Sequence, residues 1–331
     1  MKISNKISFV DKLIQLICIS TVLFKFTLQE LIEIIIYYFY LSNYIDCFTF
    51  TEKLIIMVTF QSLPNQNNNI LIATKYNLLT PRSNWILIDL LINLLYFNID
   101  IAGCIKRYYD EILINRYQFV LFVFIALTTI VVQVIIKNVG KNLKRKLFHI
   151  SAFLIFFVHN KFLHLTAEIF LYLLYCLTIN YKKKALITYF ANEKDSGKYV
   201  LSHIILISAC LYIELILPIN NDITDLKRIC NKYMNNINYQ NYISILISIC
   251  FYDSFASIIG KAFGSNNKSI IGMVGGLIMA NAIYFMIFGK LNNFKYFIFI
   301  AIIEYHTKSN DNIVIPFASY YFFKTRNIIK N

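Results

Sequence analysis

Long apolar stretches separated by short polar connectors run along the whole chain. Runs close to twenty residues recur, for example Tyr242–Ile259 and Ile270–Phe288. A helix needs about 20 apolar residues to span the hydrocarbon core of a bilayer. The pattern therefore predicts an all-α fold, a polytopic transmembrane helical bundle with roughly ten to twelve apolar segments, some of them short or re-entrant.

The basic connector Lys137–Lys146 divides the chain into two regions. Residues 1–137 are predicted to form variable N-terminal membrane helices, and they contain no recognisable chemical motif. Residues 138–331 are predicted to form a second membrane domain, in which polar residues gather at particular ends of the apolar segments.

Composition narrows the class of protein further. The 331 residues are 58% hydrophobic and only 15% charged, which excludes a soluble domain of this size. The formal net charge is +14, but the basic residues lie scattered between apolar runs. This distribution is typical of positive-inside loops and of attraction to anionic lipid headgroups, and it disfavours nucleic acid as a partner.

One carboxylate stands inside an apolar run that is long enough to enter a bilayer. Asp253 lies in the segment Cys250–Gly260. A charged Asp at the bilayer centre costs about 2.5–3.5 kcal/mol on insertion scales, so it is retained where it faces water, a metal or a partner. The polar loop Gly260–Ser269 comes directly after it. An acid beside a loop of Gly, Lys and Ser fits phosphate chemistry at the membrane edge.

Counting the predicted crossings places four polar clusters on one face of the membrane. The clusters are Lys182–Lys184, Glu193–Lys198, Lys261 with Lys268, and Glu304–Asn312. The densest basic runs belong to this face, so the positive-inside rule makes it cytosolic.

Four motifs stand in a fixed order in the second half: Arg145-Lys146-Leu147-Phe148-His149, then Asp195-Ser196-Gly197 followed by His203, then Asp253 to Gly260, then Glu304 followed by Asp311-Asn312 and Pro316. With these motifs the chain resembles the dolichol kinases, CTP-dependent polyprenol kinases of the endoplasmic reticulum, from about Lys144 to Ser319. The third motif also occurs in variant form in related lipid kinases and in CDP-diacylglycerol synthases, whereas all four together are specific.

The resemblance implies transfer of the γ-phosphoryl group of CTP to dolichol or another polyisoprenoid alcohol. The product, dolichyl phosphate, would feed lipid-linked sugar donors for protein glycosylation and GPI anchors. The protein would be a multi-pass protein of the endoplasmic reticulum membrane with its active site facing the cytosol. Two alternatives stay open: a related CTP-dependent kinase of diacylglycerol or another prenol, and a catalytically decayed membrane scaffold or transporter.

The resemblance also implies roles for particular residues. The catalytic set is Asp253, Lys268, Arg145 and Asp195. The residues expected to bind CTP are Lys146, His149, Ser257, Gly260, Gly264, Lys268, Ser269 and Gly272. A divalent cation, Mg²⁺ or another, would be held by Asp253, Glu304 and Asp311.

Simpler explanations apply to several of these residues. Asp195 precedes an apolar segment and can cap a helix. Gly272 and Gly276 recur at a spacing of four with Ala280, as small residues do where helices pack closely. His149 can be a packed core histidine, but close packing does not explain Asp253.

Three positions depart from the family pattern. Tyr252 precedes Asp253 where the family usually has Gly. After Lys268, the family's Glu and hydroxyl positions are occupied by Ile271 and Met273. We therefore expect Glu304 or Asp311 to supply the carboxylate that Ile271 does not.

Overall fold

The structure is a computed structural model, and it describes only part of the chain. The described residues are 8–25, 27, 32, 35, 38, 48–62, 101–135, 141–157, 162–163, 166–167, 169–171, 202–216, 236–265 and 268–330. All regular elements among them are helical, which confirms the all-α prediction for this part of the chain.

Eleven α-helices and one π-helical turn have bounds within the described residues. In chain order they are α1 Phe9–Lys25, α2 Phe50–Ser62, α3 Ile101–Ile114, α4 Arg116–Ile135, α5 Lys141–Phe157, α6 Ser202–Ile216, α7 Ile237–Ile247, the π turn Ser248–Tyr252, α8 Asp253–Ala262, α9 Ile270–Phe288, α10 Phe294–His306 and α11 Asp311–Lys330.

Two helices are long and apolar enough to cross a membrane. One is the continuous helix Ile237–Ala262, which joins α7, the π turn and α8, and the other is α9. A third candidate is the pair Tyr108–Ile114 and Arg116–Thr129, whose two halves meet at 95°. The described residues thus give two or three candidate spans, and the predicted total of ten to twelve is not shown. Apolar stretches such as Lys146–Phe157 and Ile204–Ile213 are shorter than a span.

The helix Ile237–Ala262 forms the centre of the described core. Tyr239 and Tyr242 are fully buried, and their hydroxyls donate to the carbonyls of Phe157 and Phe156 at 3.1 and 2.8 Å. The last carbonyls of an α-helix have no partner within the helix, so these two bonds satisfy the end of α5. They also fix α5 against the central helix, which positions Lys146 for the site.

Local signals in the sequence set several helix ends near the site. Ser269 caps α9, because its side chain accepts a hydrogen bond from the Gly272 N–H at 3.0 Å. Thr49 and Glu52 form a reciprocal capping box at the start of α2. Pro316 lies inside α11 and has no N–H to donate to the carbonyl of Asn312 one turn earlier.

Candidate functional site

A buried ion pair joins the first motif to the third. Lys146 Nζ donates to Asp253 Oδ2 at 2.7 Å and to the Asp253 carbonyl at 3.1 Å. The side chains are only 1% and 9% exposed. Removing one partner of such a pair would leave an uncompensated charge in the protein interior, so each residue requires the other.

His149 lies one turn after Lys146 and contacts the same part of the central helix. Its Nδ1 is 3.0 Å from the Ile249 carbonyl, which can only accept, so Nδ1 carries the proton. Nδ1 is also 3.7 Å from Asp253 Oδ2, which is too long for a hydrogen bond but close enough for electrostatic attraction. Lys146 and His149 thus form the inward face of α5 at this level.

The π turn explains how these groups meet. Ser248–Tyr252 is a π-helical turn, and the Asp253 N–H bonds the Ser248 carbonyl five residues earlier. One extra residue in a turn rotates the downstream part of the helix by about 100° around its axis. Such turns occur frequently at functional sites. Here the π turn sets the rotation of α8 about its axis, and that rotation directs the Asp253 carboxylate toward Lys146.

A second cluster joins the loop after α8 to the ends of α10 and α11. Lys268 Nζ lies 2.7 Å from both Glu304 Oε1 and Asp311 Oδ1. The lysine side chain is 25% exposed, whereas the two acids are 8% and 10% exposed. Burial alone would lower the pKa of Lys268, but the charges of Asp311 and Glu304 raise it above its ordinary value. Lys268 is therefore a protonated ammonium at neutral pH.

Tyr252 connects the two clusters. It is fully buried, and its hydroxyl donates to Glu304 Oε2 at 3.3 Å. Gly276 leaves the space for its ring, because a Cβ there would lie 3.0 Å from Tyr252 Cε2 and 2.9 Å from its carbonyl. Tyr252 thus reaches from the Asp253 segment to the Glu304 cluster.

The carboxylates give limited support to a metal site. No three side chains of His, Cys, Asp and Glu among the described residues lie close enough together to hold a metal ion. Glu304 and Asp311 converge on one cation position that the ammonium of Lys268 occupies, while Asp253 is paired with Lys146. Mg²⁺ is usually held by one or two carboxylates together with substrate phosphates, so Glu304 and Asp311 fit that share of a site.

Two of the three glycines expected to bind CTP lie where α8 and α9 pack closely. A Cβ on Gly272 would lie 2.5 Å from the Ala256 carbonyl and 3.3 Å from Gly260 Cα. A Cβ on Gly260 would lie 3.1 Å from Ser269 Oγ. The small-residue explanation therefore accounts for both glycines, and their contact with CTP stays a prediction.

The remaining predicted residues fall into two groups. Ser257 is half-buried in α8, and Gly264 adopts φ +78° just beyond the end of that helix with open space around it. Asp195 lies outside the described residues, as does the side chain of Arg145, so their predicted roles stay predictions.

Two acids that sequence reasoning passed over contact the loop between Glu304 and Asp311. They are Asp11 in α1 and Glu52 in α2, which are 3% and 6% exposed. The signal that selected Asp253, an acid inside an apolar run, also marks these two positions in the sequence. Asp11 and Glu52 were not selected because residues 1–137 contain no recognisable motif that would link them to the second half of the chain.

The fold and the site define a helical protein with candidate membrane spans and two adjoining lysine–carboxylate clusters. No family model, curated protein or solved structure matches this chain.

Proposed function

We propose that this chain is a CTP-dependent lipid kinase that phosphorylates dolichol or another polyisoprenoid alcohol. The observation that carries the proposal is the meeting of residues from three of the four motifs. Lys146 contacts Asp253, Tyr252 connects the Asp253 segment to Glu304, and Glu304 shares Lys268 with Asp311. Motifs that are far apart in the chain thus supply one continuous set of charged groups.

These groups suit phosphoryl transfer. The reaction depends on positioning and on neutralising phosphate charge more than on covalent chemistry by the protein. Within the clusters, Lys268 is partly exposed and within reach of a phosphate oxygen, whereas Lys146 is buried in its pair with Asp253. A nucleotide would have to replace the acid bonded to either lysine, so the proposed phosphate contact of Lys146 requires displacement of Asp253. Arg145, next to Lys146 in the chain, is a further proposed phosphate ligand.

The transfer itself is an in-line displacement. The alcohol oxygen forms a bond to the γ-phosphorus of CTP, and the bond from that phosphorus to the β–γ bridging oxygen breaks. CDP leaves, and the proton of the alcohol passes to the Asp253 carboxylate. Mg²⁺, when bound between Glu304, Asp311 and the phosphates, would neutralise phosphate charge.

A membrane location is expected from the substrate as well as from the chain. The isoprenoid tail would stay in the lipid, beside the two or three helices that have the length and composition to cross a membrane. The proposed location of the protein is the endoplasmic reticulum membrane, with the two clusters facing the cytosol. The dolichyl phosphate produced there would serve glycosylation and GPI anchor synthesis.

A phosphorylation assay with a panel of lipids tests the proposal. Nanodiscs that contain the protein would receive γ-labelled CTP, Mg²⁺ and either dolichol, a shorter prenol or diacylglycerol. Label in dolichyl phosphate supports the proposal, and label in another lipid alone assigns the related kinase. No label in any lipid, with the protein folded, favours the decayed scaffold. The observation that favours this second candidate is that every acid of the clusters is already bonded to a lysine, with Glu304 and Asp311 sharing Lys268.

A further inference from the structure

The loop Thr307–Asn310 joins α10 to α11, and it carries the second cluster at its two ends. Glu304 lies one turn before it and Asp311 comes directly after it. The conformation of this loop therefore decides whether both carboxylates reach the same ammonium.

Asp11 of α1 bonds three groups of this loop. The hydroxyls of Thr307 and Ser309 donate to Asp11 Oδ1 at 2.7 and 3.0 Å. The backbone N–H of Lys308 donates to Oδ2 at 3.3 Å. A carboxylate that accepts several hydrogen bonds at fixed positions holds the donors in one arrangement.

Glu52 of α2 bonds the end of the same loop. The backbone N–H of Asn310 donates to Glu52 Oε1 at 2.6 Å. The other oxygen, Oε2, accepts from the Thr49 N–H at 2.8 Å, which anchors the carboxylate to its own helix. The loop is thus bonded from one side by two acids of the N-terminal region.

Helix capping explains two of the six hydrogen bonds of these carboxylates and none of the four to the loop. Ser8 Oγ donates to Asp11 Oδ2, and Thr49 bonds Glu52 Oε2, as expected in the first turn of a helix. Asp11 Oδ1 and Glu52 Oε1 instead bond the loop, and neither contact is needed to begin α1 or α2. An Ala at either position would lose the loop bonds together with the local ones.

Apolar packing holds the helices that carry the two acids against the helix that follows the loop. Ile14 and Leu54 from α1 and α2 belong to one buried cluster with Ile313 and Phe317 from the first turns of α11. α1, α2 and the start of α11 therefore form one packed unit, and Asp11 and Glu52 lie within one turn of its buried residues Ile14 and Leu54.

We propose that Asp11 and Glu52 are positioning residues of the candidate site, and that the first two helices belong to its working unit. They hold Thr307–Asn310 in the conformation that brings Glu304 and Asp311 onto Lys268. The structural part of this proposal stands on the contacts alone, whereas its catalytic consequence rests on the proposed kinase function.

Hydrogen exchange in nanodiscs, read by mass spectrometry on peptides covering 304–315, tests the structural part. The variants are Asp11→Ala, Asp11→Asn, Glu52→Ala and Glu52→Gln. Thr51→Val is the matched control, since Thr51 is buried beside Glu52 and bonds Gln15 of α1 rather than the loop. The reporting amides are those of Lys308 and Asn310.

We expect each Ala variant to raise exchange in this peptide by about tenfold or more, the loss typical of a charge-assisted hydrogen bond. The Asn and Gln variants keep one acceptor oxygen and should exchange at an intermediate rate, with Thr51→Val near wild type. If an Ala variant does not fold, the Asn or Gln variant compared with Thr51→Val decides the question. Unchanged loop exchange, or an equal rise in peptides of α9, overturns the proposal.

Kinetics of CTP-dependent phosphorylation test the catalytic part. We expect kcat to fall about tenfold in Asp11→Ala with partial rescue in Asp11→Asn, while Thr51→Val keeps wild-type kcat. Loop exchange that rises while kcat is unchanged overturns the catalytic consequence. Absence of activity in the unmodified protein contradicts the proposed function, and the exchange data then decide the positioning role by themselves.

Discussion

Lys146 and Asp253 show how one buried pair shapes the central helix. The lysine bonds both the carboxylate and the backbone carbonyl of Asp253, so it fixes the side chain and the main chain at the same point. A buried pair of this kind contributes little net stability as a pair, but losing one member is costly. The pair therefore constrains which substitutions this part of the chain tolerates.

Lys146→Met should destabilise the protein strongly, because Asp253 would remain as a buried charge without its cation. We expect a loss of about 3–5 kcal/mol in the free energy of unfolding. The double variant Lys146→Met with Asp253→Leu should regain most of that loss, since no charge is then left unpaired. Chemical unfolding in detergent would measure both.

Lys261→Met is the matched control for this prediction, because Lys261 lies exposed near the end of α8. It should change stability by less than about 0.5 kcal/mol. An equal cost for Lys261→Met and Lys146→Met would contradict the role of the buried pair.

Tyr252 makes a second prediction at the level of one residue. Tyr252→Phe loses only the hydroxyl bond to Glu304, so we expect a cost of about 0.5–1.5 kcal/mol. Tyr252→Gly removes a fully buried ring and should cost about 3–5 kcal/mol. Thermal unfolding of the two variants would check this order, and equal melting temperatures would contradict it.

Helices α8 and α9 pack closely because of Gly272. The nearest atom to an added Cβ there is a backbone carbonyl, which cannot rotate away. Gly272→Ala should therefore push the two helices apart and cost about 1–3 kcal/mol.

Gly275→Ala provides the comparison within the same helix, because its added Cβ meets side-chain atoms of Ile259 rather than backbone. We expect a smaller loss there, because Ile259 Cδ1, the nearest atom at 2.5 Å, can move by rotation about χ2, while Cγ2 and Cβ at 2.9 and 3.2 Å need shifts of only about half an ångström. Unfolding measurements that show the larger loss for Gly275→Ala would contradict the close-packing account of Gly272.

The sequence predicted the helices of the site better than it predicted their contacts. Apolar runs located the central helix to within a few residues, as Tyr242–Ile259 against the observed Ile237–Ala262. Helix rotation was not predictable in the same way. The resemblance assigns Lys146 to CTP binding, whereas the structure pairs it with Asp253, because the π turn and the packing of α5 set that rotation.

At the scale of the whole molecule, hydrogen bonds join the two predicted regions, residues 1–137 and 138–331. Asp11 and Thr307 are 296 positions apart and bond directly. Asp11 belongs to no motif, Thr307 lies between the named residues of the fourth motif, and no local pattern encodes a pairing over such a distance. The choice of Asp253 was possible because a charge in an apolar run is unusual by itself, whereas its partners depend on tertiary packing.

Membrane topology gives a prediction at this scale. Residues near Lys183, Asp195 and Asn266 should be accessible from the cytosol, and Asn235 from the lumen, by crossing parity and the positive-inside rule. Ser309 is buried against Asp11, so the exposed neighbour Lys308 is the better labelling position in the last polar cluster. Single-cysteine labelling in sealed microsomes would test this arrangement. Opposite accessibility of positions 266 and 308 would contradict a shared site.

The central proposal is that the protein transfers the γ-phosphoryl group of CTP to a lipid alcohol at the two adjoining clusters, with Asp253 accepting the proton of the alcohol. The most direct test is the rate of label transfer from γ-labelled CTP to dolichol by the wild type and by Asp253→Asn, which keeps the size of the side chain and removes its charge. The account predicts transfer by the wild type and a loss of about two to three orders of magnitude in the folded variant. Near wild-type turnover by Asp253→Asn, or no transfer by the folded wild type, would contradict it.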